Sequence, residues 1–252
     1  MLIYGIHPVL EALRAGRVTA VRVSARADDR VTALVGAADE RGVTVRRVSA
    51  AALDRETRGA AHQGVVADLS SSNLFSVEDL IVQAPGAPLI VVLDGIEDPH
   101  NVGAILRTAD AAGADGVVRQ SRRAAPLGGA TAKASAGAVA YVKIAEVVNI
   151  ARAIEALKEA GVWTVGLAGG AAARYDQIDY TLPTAFVVGA EGGGLRRLVR
   201  ERCDWLVSIP MQGHVQSLNV SVALAVALYE AVRQRGKTVN SERVAPVARD
   251  VL

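Results

Sequence analysis

Apolar positions in the first seventy residues come in short bursts whose period keeps changing. His7 to Ala15 sets Val9, Leu10 and Leu13 on one side, the spacing of a helix that buries one face. Val18 to Ser24 alternates apolar and polar residues, as a half-buried strand does. Asp28-Asp29 puts acid at the start of a second helix, which ends at Gly42. Val43 to Val48 reads as a strand, Ala50 to Arg58 as a third helix, and Gln63 to Ala67 as a closing strand. Residues 1–70 therefore predict a small α/β module. Residues 71–87 read as a linker: Ser71-Ser72-Asn73 and Pro85-Gly86-Ala87-Pro88 flank one short helix, Val77 to Val82.

From Pro88 the pattern changes. Leu89 to Leu93 is a continuous apolar run, as in a strand covered on both faces. Gly116–Val118, Val162–Gly166, Ala185–Val188 and Trp205–Ile209 repeat it. Helical periods at Val102–Ala112, Ile150–Ala160, Leu195–Cys203 and Leu218–Arg235 lie between them. This alternation predicts a parallel α/β sheet over residues 88–236. Residues 237–252 have no apolar period and are expected to be a mobile tail.

Composition narrows the class. With 51% hydrophobic and 21% charged residues, the 252-residue chain has enough apolar surface for a sizeable core. A single cysteine, Cys203, excludes an internal disulfide framework, which fits a reducing cytoplasm; packing is its expected role. The N-terminus lacks a signal-peptide pattern, and the longest apolar stretch, Val220 to Tyr229, is too short to cross a bilayer. His7, His62, His100 and His214 are not at ligand spacing, so no metal is expected. The net charge of +2 does not announce a nucleic-acid partner, but the basic residues are mostly arginine, whose fork suits phosphate.

Three segments carry candidate chemistry, each where a strand should end, the side on which open α/β sheets bind ligands. Leu93 to Ala109 runs from a buried strand through a polar loop into a helix, with Asn101 as candidate N-cap and Arg107 further in. Val188-Gly189-Ala190-Glu191-Gly192-Gly193-Gly194-Leu195 sets a carboxylate among four glycines, at neither dinucleotide nor P-loop spacing. Ile209 to Ala223 is an irregular loop that leads into a helix apolar nearly all round, with Ser217 or Asn219 as cap. Such a helix should be buried between layers or against another subunit. On residue pattern alone, plain helix capping and a flexible turn remain open readings of these segments.

Taken together, the three segments resemble the three motifs of the SpoU (TrmH-like) branch of the SPOUT methyltransferases. Arg122 to Leu127, Ala130 to Lys133, Gly137-Ala138, Gly5 to Leu13 and His62 to Val65 resemble those members that methylate a guanosine of 23S rRNA. The likeness spans about residues 3–236. It implies a parallel sheet with a C-terminal trefoil knot, against the rule that chains do not knot, and an N-terminal L30e-like RNA-binding domain. It also implies S-adenosyl-L-methionine as cofactor, ribosomal RNA as partner, and a homodimer that completes the active site across its interface. By the same resemblance Arg107 is catalytic, Asn101, Glu191, Ser217 and Asn219 shape the site, and backbone near Gly189, Ile209 and Leu218 holds the adenosine. Gly128-Gly129 and Gly193 depart from the relatives' pattern, which bears on the nucleotide chosen.

An arginine's ordinary pKa, about 12.5–13.8, makes Arg107 an awkward general base. Either a nearby phosphate lets it accept a proton transiently, or it stays charged and stabilises a developing alkoxide; the second fits the pKa better. Arg46, Arg47, Arg55 and Arg58 in the small domain, and Arg119, Arg122 and Arg123 in the larger one, are candidate phosphate contacts and predict salt-sensitive RNA binding. Aromatics are only 4%, so base stacking is a minor expectation. The alternatives are a SpoU enzyme for tRNA, one that methylates an rRNA adenosine and confers antibiotic resistance, and a non-catalytic RNA-binding or ribosome-assembly protein. A nucleotide-dependent α/β enzyme is disfavoured by the missing phosphate loop.

Overall fold

The computed structural model describes residues 1–25, 28–70 and 75–236. The expectations for residues 237–252 and for Ser71, Ser72 and Asn73 lie outside that range.

The period-two stretch forms β2 (Val18–Ser24), which lies between β3 (Thr44–Val48) and β4 (Val65–Leu69). A further strand, β1 (Leu2–Tyr4), pairs antiparallel with β4 and completes a four-stranded sheet in the order β1-β4-β2-β3. Three residues are too few to show a period, so β1 was not foreseen. Helices α1 (Ile6–Arg14), α2 (Asp29–Asp39) and α3 (Ala50–Thr57) cover the sheet. Asp28 and Ser49 accept hydrogen bonds from the first-turn amides of α2 and α3.

The larger unit is a seven-stranded parallel sheet. Its strands are β5 (Leu89–Asp94), β6 (Gly116–Gln120), β7 (Ile144–Val147), β8 (Trp163–Leu167), β9 (Ala173–Arg174), β10 (Thr184–Gly189) and β11 (Trp205–Ser208). Their order is β7-β6-β5-β10-β8-β11-β9. All six residues of β5 and of β10 are buried, because helices cover both faces. Ile90 and Val92 face α4 (Val77–Val82), α7 (Ile150–Glu159) and α8 (Arg197–Arg202). Leu89, Val91 and Leu93 face α5 (Pro99–Ala111) and α9 (Val220–Gly236), with Ile105, Leu106, Leu224 and Leu228 at the centre. The chain leaves β5 toward β6 and β7 and later returns on the other side as β10, so β5 and β10 flank a topological switch point.

Several sequence readings need adjusting. The helix in the expected linker, α4, buries Val77 and Leu80 against the large sheet and is fixed by a capping box at Ser76. β7, β9 and the short helix α6 (Ala130–Ala134) were not foreseen, being two to five residues long. The helix expected from Leu195 to Cys203 shortens to α8, because Leu195 and Arg196 belong to the preceding turn.

The small domain sits on α6, on the Gly128-Gly129 turn before it and on residues 137–141 after it. A Cβ on Gly128 would lie 2.3 Å from the Leu2 carbonyl oxygen, and the Gly129 amide donates to that oxygen at 3.1 Å. Tyr141 donates its hydroxyl to Glu11 at 2.8 Å. The Gly128-Gly129 pair is therefore where β1 presses on the larger domain.

Candidate active site

Pro99 at the first position of α5 lets Asp98, not Asn101, act as its cap; Asp98 accepts from the His100 amide at 3.0 Å. Asp and Asn are equally good caps, and the Asp98-Pro99 step sets the helix start three residues before Asn101. Freed from capping, Asn101 turns inward and is only 6% exposed. Its Nδ2 donates to Glu191 Oε1 at 2.9 Å. Asn219 donates from its own Nδ2 to the same Glu191 oxygen at 2.7 Å and to Asn101 Oδ1 at 2.9 Å. Asn219 Oδ1 accepts from the Ser221 amide and hydroxyl, at 2.9 and 2.6 Å, so Asn219 caps α9 and Ser217 does not. One carboxylate thus ties together side chains 90 and 28 residues away in sequence.

The glycine turn that carries Glu191 folds back on itself. Ala190 and Gly194 form an isolated bridge, and a Cβ on Gly189 would sit 2.1 Å from the Gly194 backbone. Only glycine fits there. Behind the turn, buried Asp94 accepts from the Arg196 amide at 2.9 Å and from Arg196 Nε at 2.7 Å, which anchors the turn to the end of β5.

Above this network lies a cavity of about 590 Å³, within the range of small-molecule sites. Its walls are the loops that follow β8, β10 and β11, strands adjacent in the sheet. The expected residues Gly189, Glu191, Ile209, Ser217, Leu218 and Asn219 all line it. Leu167 to Gly169 and Arg200 line it too and were missed; the Gly169-Gly170 pair after a strand was the available signal. Among the described residues, no main-chain amide from Met211 to Leu218 is bonded to another main-chain carbonyl, leaving donors for a ligand edge.

Arg107 does not line this cavity. It stands exposed on α5, six residues beyond Asn101, about 9 Å further along the helix and turned well away around its axis. It has no ion pair or side-chain hydrogen bond among the described residues. Of the candidate RNA contacts, Arg46, Arg47, Arg55, Arg58, Arg122 and Arg123 are exposed. Arg119 is not: it is 5% exposed and 3.5 Å from Glu146 on the neighbouring strand, and burial lowers its pKa. It lies inside β6, where the sheet and not solvent receives the side chain. Cys203 packs against the Val199 carbonyl, and burial raises its pKa to about 12, too high for a thiolate nucleophile. Among the described residues no group of three or more His, Cys, Asp or Glu could hold a metal ion, and no helix is long and apolar enough to cross a membrane.

Residues 88–229 match the SpoU rRNA Methylase family, and residues 2–75 match the RNA 2′-O ribose methyltransferase substrate binding family. The 23S rRNA (guanosine-2′-O-)-methyltransferase RlmB of Pseudomonas syringae pv. tomato is 46% identical over 239 residues, 92% of this chain and 95% of that one. The protein of the same name from Vibrio cholerae is 46% identical, over 93% of this chain and 97% of its own. Among solved structures, the SpoU methyltransferase AviRb of Streptomyces viridochromogenes in complex with AdoMet has a TM-score of 0.78 at 26% identity, covering 94% of this chain and 91% of that one. A second, titled RNA 2′-O ribose methyltransferase, has a TM-score of 0.76 at 30% identity, covering 93% and 88%. The three convergent motifs and these end-to-end likenesses lead to one assignment: the chain belongs to the SpoU rRNA methylase family.

Proposed function

We propose that this chain transfers a methyl group from S-adenosyl-L-methionine to a ribose 2′-hydroxyl of 23S rRNA, at a guanosine, in the cytoplasm. The observation that carries the reading is the Asn101–Glu191–Asn219 network under a cavity at the carboxyl ends of three neighbouring strands. The name shared by relatives 46% identical over nearly the whole chain supports the substrate.

The cavity fits the cofactor. Leu167, Val188, Ile209 and Leu218 offer apolar walls for an adenine, the unspent amides of the 211–218 loop offer edge contacts, and Glu191 offers negative charge toward a cation. When bound, S-adenosyl-L-methionine supplies a methyl group on a sulfonium, already activated. The protein therefore has to orient the hydroxyl and accommodate the charge left as its proton departs. Glu191 has a positioning role: it holds Asn101 and Asn219, and so ties the start of α5 to the start of α9, which lines the cavity.

Arg107 is proposed as the group that stabilises the developing alkoxide, acting at the cavity of a second copy. Supporting this, α9 exposes an apolar stripe, with Val222 48% and Tyr229 51% accessible, and packs beside α5, which carries Arg107. A stripe of this kind fits a two-fold homodimer interface. Mixing inactive Arg107→Ala and Asn219→Ala chains tests the arrangement. Hybrid dimers should regain methyl transfer to 23S rRNA, because one of their two sites has both groups intact. No recovery in confirmed hybrids would remove Arg107 from the partner's site. Failure of the wild-type chain to methylate 23S rRNA would remove the function itself.

A further inference from the structure

We infer that Arg200 receives the carboxylate at the amino-acid end of the methyl donor, a role that rests on the proposed function. Two observations lead there. Among the described residues, Arg200 and Glu191 are the only charged ones that line the cavity. Arg200 also differs from the other arginines around α8. Arg196 is bound to Asp94, Arg197 to Glu201 and Arg202 to Glu155. Arg200 alone has no carboxylate partner among the described residues, although its helix backbone is in place, its amide donating to the Arg196 carbonyl at 2.9 Å.

The donor carries one anion, its carboxylate, and two cations, its ammonium and sulfonium. Placed near Glu191, the carboxylate would be repelled. Placed at Arg200, it meets a guanidinium fork suited to bidentate pairing. The two charged walls therefore set the direction in which the amino-acid chain lies: carboxylate toward α8, cationic groups toward the glycine turn. Specificity follows from the same pairing. A nucleoside without the amino-acid end fills the apolar part of the cavity and leaves Arg200 without a partner.

The test combines a substitution with a truncated ligand. Wild-type protein and Arg200→Gln are titrated calorimetrically with S-adenosyl-L-homocysteine, which has the carboxylate, and with 5′-methylthioadenosine, which lacks the amino-acid end. Loss of a charge-assisted pair should weaken S-adenosyl-L-homocysteine by about tenfold to hundredfold. Binding of 5′-methylthioadenosine should be unchanged, which also reports that the cavity is folded. Equal weakening of both ligands, or of neither, overturns the inference. So does a variant that binds S-adenosyl-L-homocysteine normally but loses affinity for 23S rRNA, because Arg200 would then serve an RNA phosphate. Absence of binding by the wild-type protein to either nucleoside would instead defeat the proposed function, and the inference with it.

Discussion

Replacing Asn101 with aspartate exchanges an amide donor for a carboxylate oxygen 2.9 Å from Glu191 Oε1, with almost no change in shape. Coulomb's law at that distance gives about 1.4 kcal/mol of repulsion in bulk water and about 6 kcal/mol at an effective dielectric of 20. Asn101 is buried but Glu191 is exposed on its far side, so an intermediate value of about 3 kcal/mol is expected. Proton uptake sets a ceiling: protonating one carboxyl of pKa near 4 at pH 7 costs about 4 kcal/mol. The sign follows. The folded pair holds a proton more tightly than the unfolded chain does, so its pKa is raised. The variant should therefore approach wild-type stability near pH 4 and fall behind as pH rises, by at most about 1.4 kcal/mol per unit. Asn101→Ala is the control. It loses the bond to a charged acceptor, worth about 1.5–3 kcal/mol, and the bond Asn101 Oδ1 accepts from Asn219, worth about 1 kcal/mol, without introducing a second titrating group. Urea unfolding from pH 5 to 8, with the ratio of variant to wild-type methylation rates at each pH, measures both effects. A stability difference for Asn101→Asp that does not change with pH would refute the network as the contact that holds the two loops.

Three other outcomes follow from particular contacts. Gly189→Ala drives a Cβ to within 2.1 Å of the Gly194 backbone, which cannot swing aside as a side chain can; it should cost about 3 kcal/mol or more and abolish S-adenosyl-L-homocysteine binding. An unchanged unfolding midpoint with normal titration would contradict the close turn. Replacing Arg46, Arg47, Arg55 and Arg58 together by alanine should flatten the salt dependence of RNA binding, lowering the slope of log K against log salt by up to about 3. The same slope in both proteins would remove these side chains from the RNA contact. The hydrogen bond from Arg22 lowers the pKa of Asp68, so this pair stabilises the fold above the ordinary carboxylate range and ceases to as pH falls through the depressed value. Asp68→Asn should thus be less stable than wild type at pH 7 and indistinguishable from it in strong acid, in denaturant midpoints taken across that range.

Much of this molecule is legible along the chain. The apolar runs at Leu89–Leu93 and Ala185–Val188 mark the two central strands, and the amphipathic period at Ile150–Ala160 marks α7, because burial of one or both faces leaves a local imprint on residue order. The motif residues Asn101, Glu191 and Asn219 stand out through their resemblance to the family's motifs, because on residue pattern alone caps and turns use the same residue types. What residue order does not carry is which distant groups meet. Asn101 and Asn219 lie 118 residues apart, and they touch because β10 returns beside β5 and brings its loop between α5 and α9. Strand order comes from long-range pairing, to which no window of sequence is sensitive. The same limit explains Arg119, expected among the phosphate contacts and found inside the sheet opposite Glu146. Periodicity tells a residue's side of its own element; the neighbour that faces it is chosen by the packing of elements far apart in the chain.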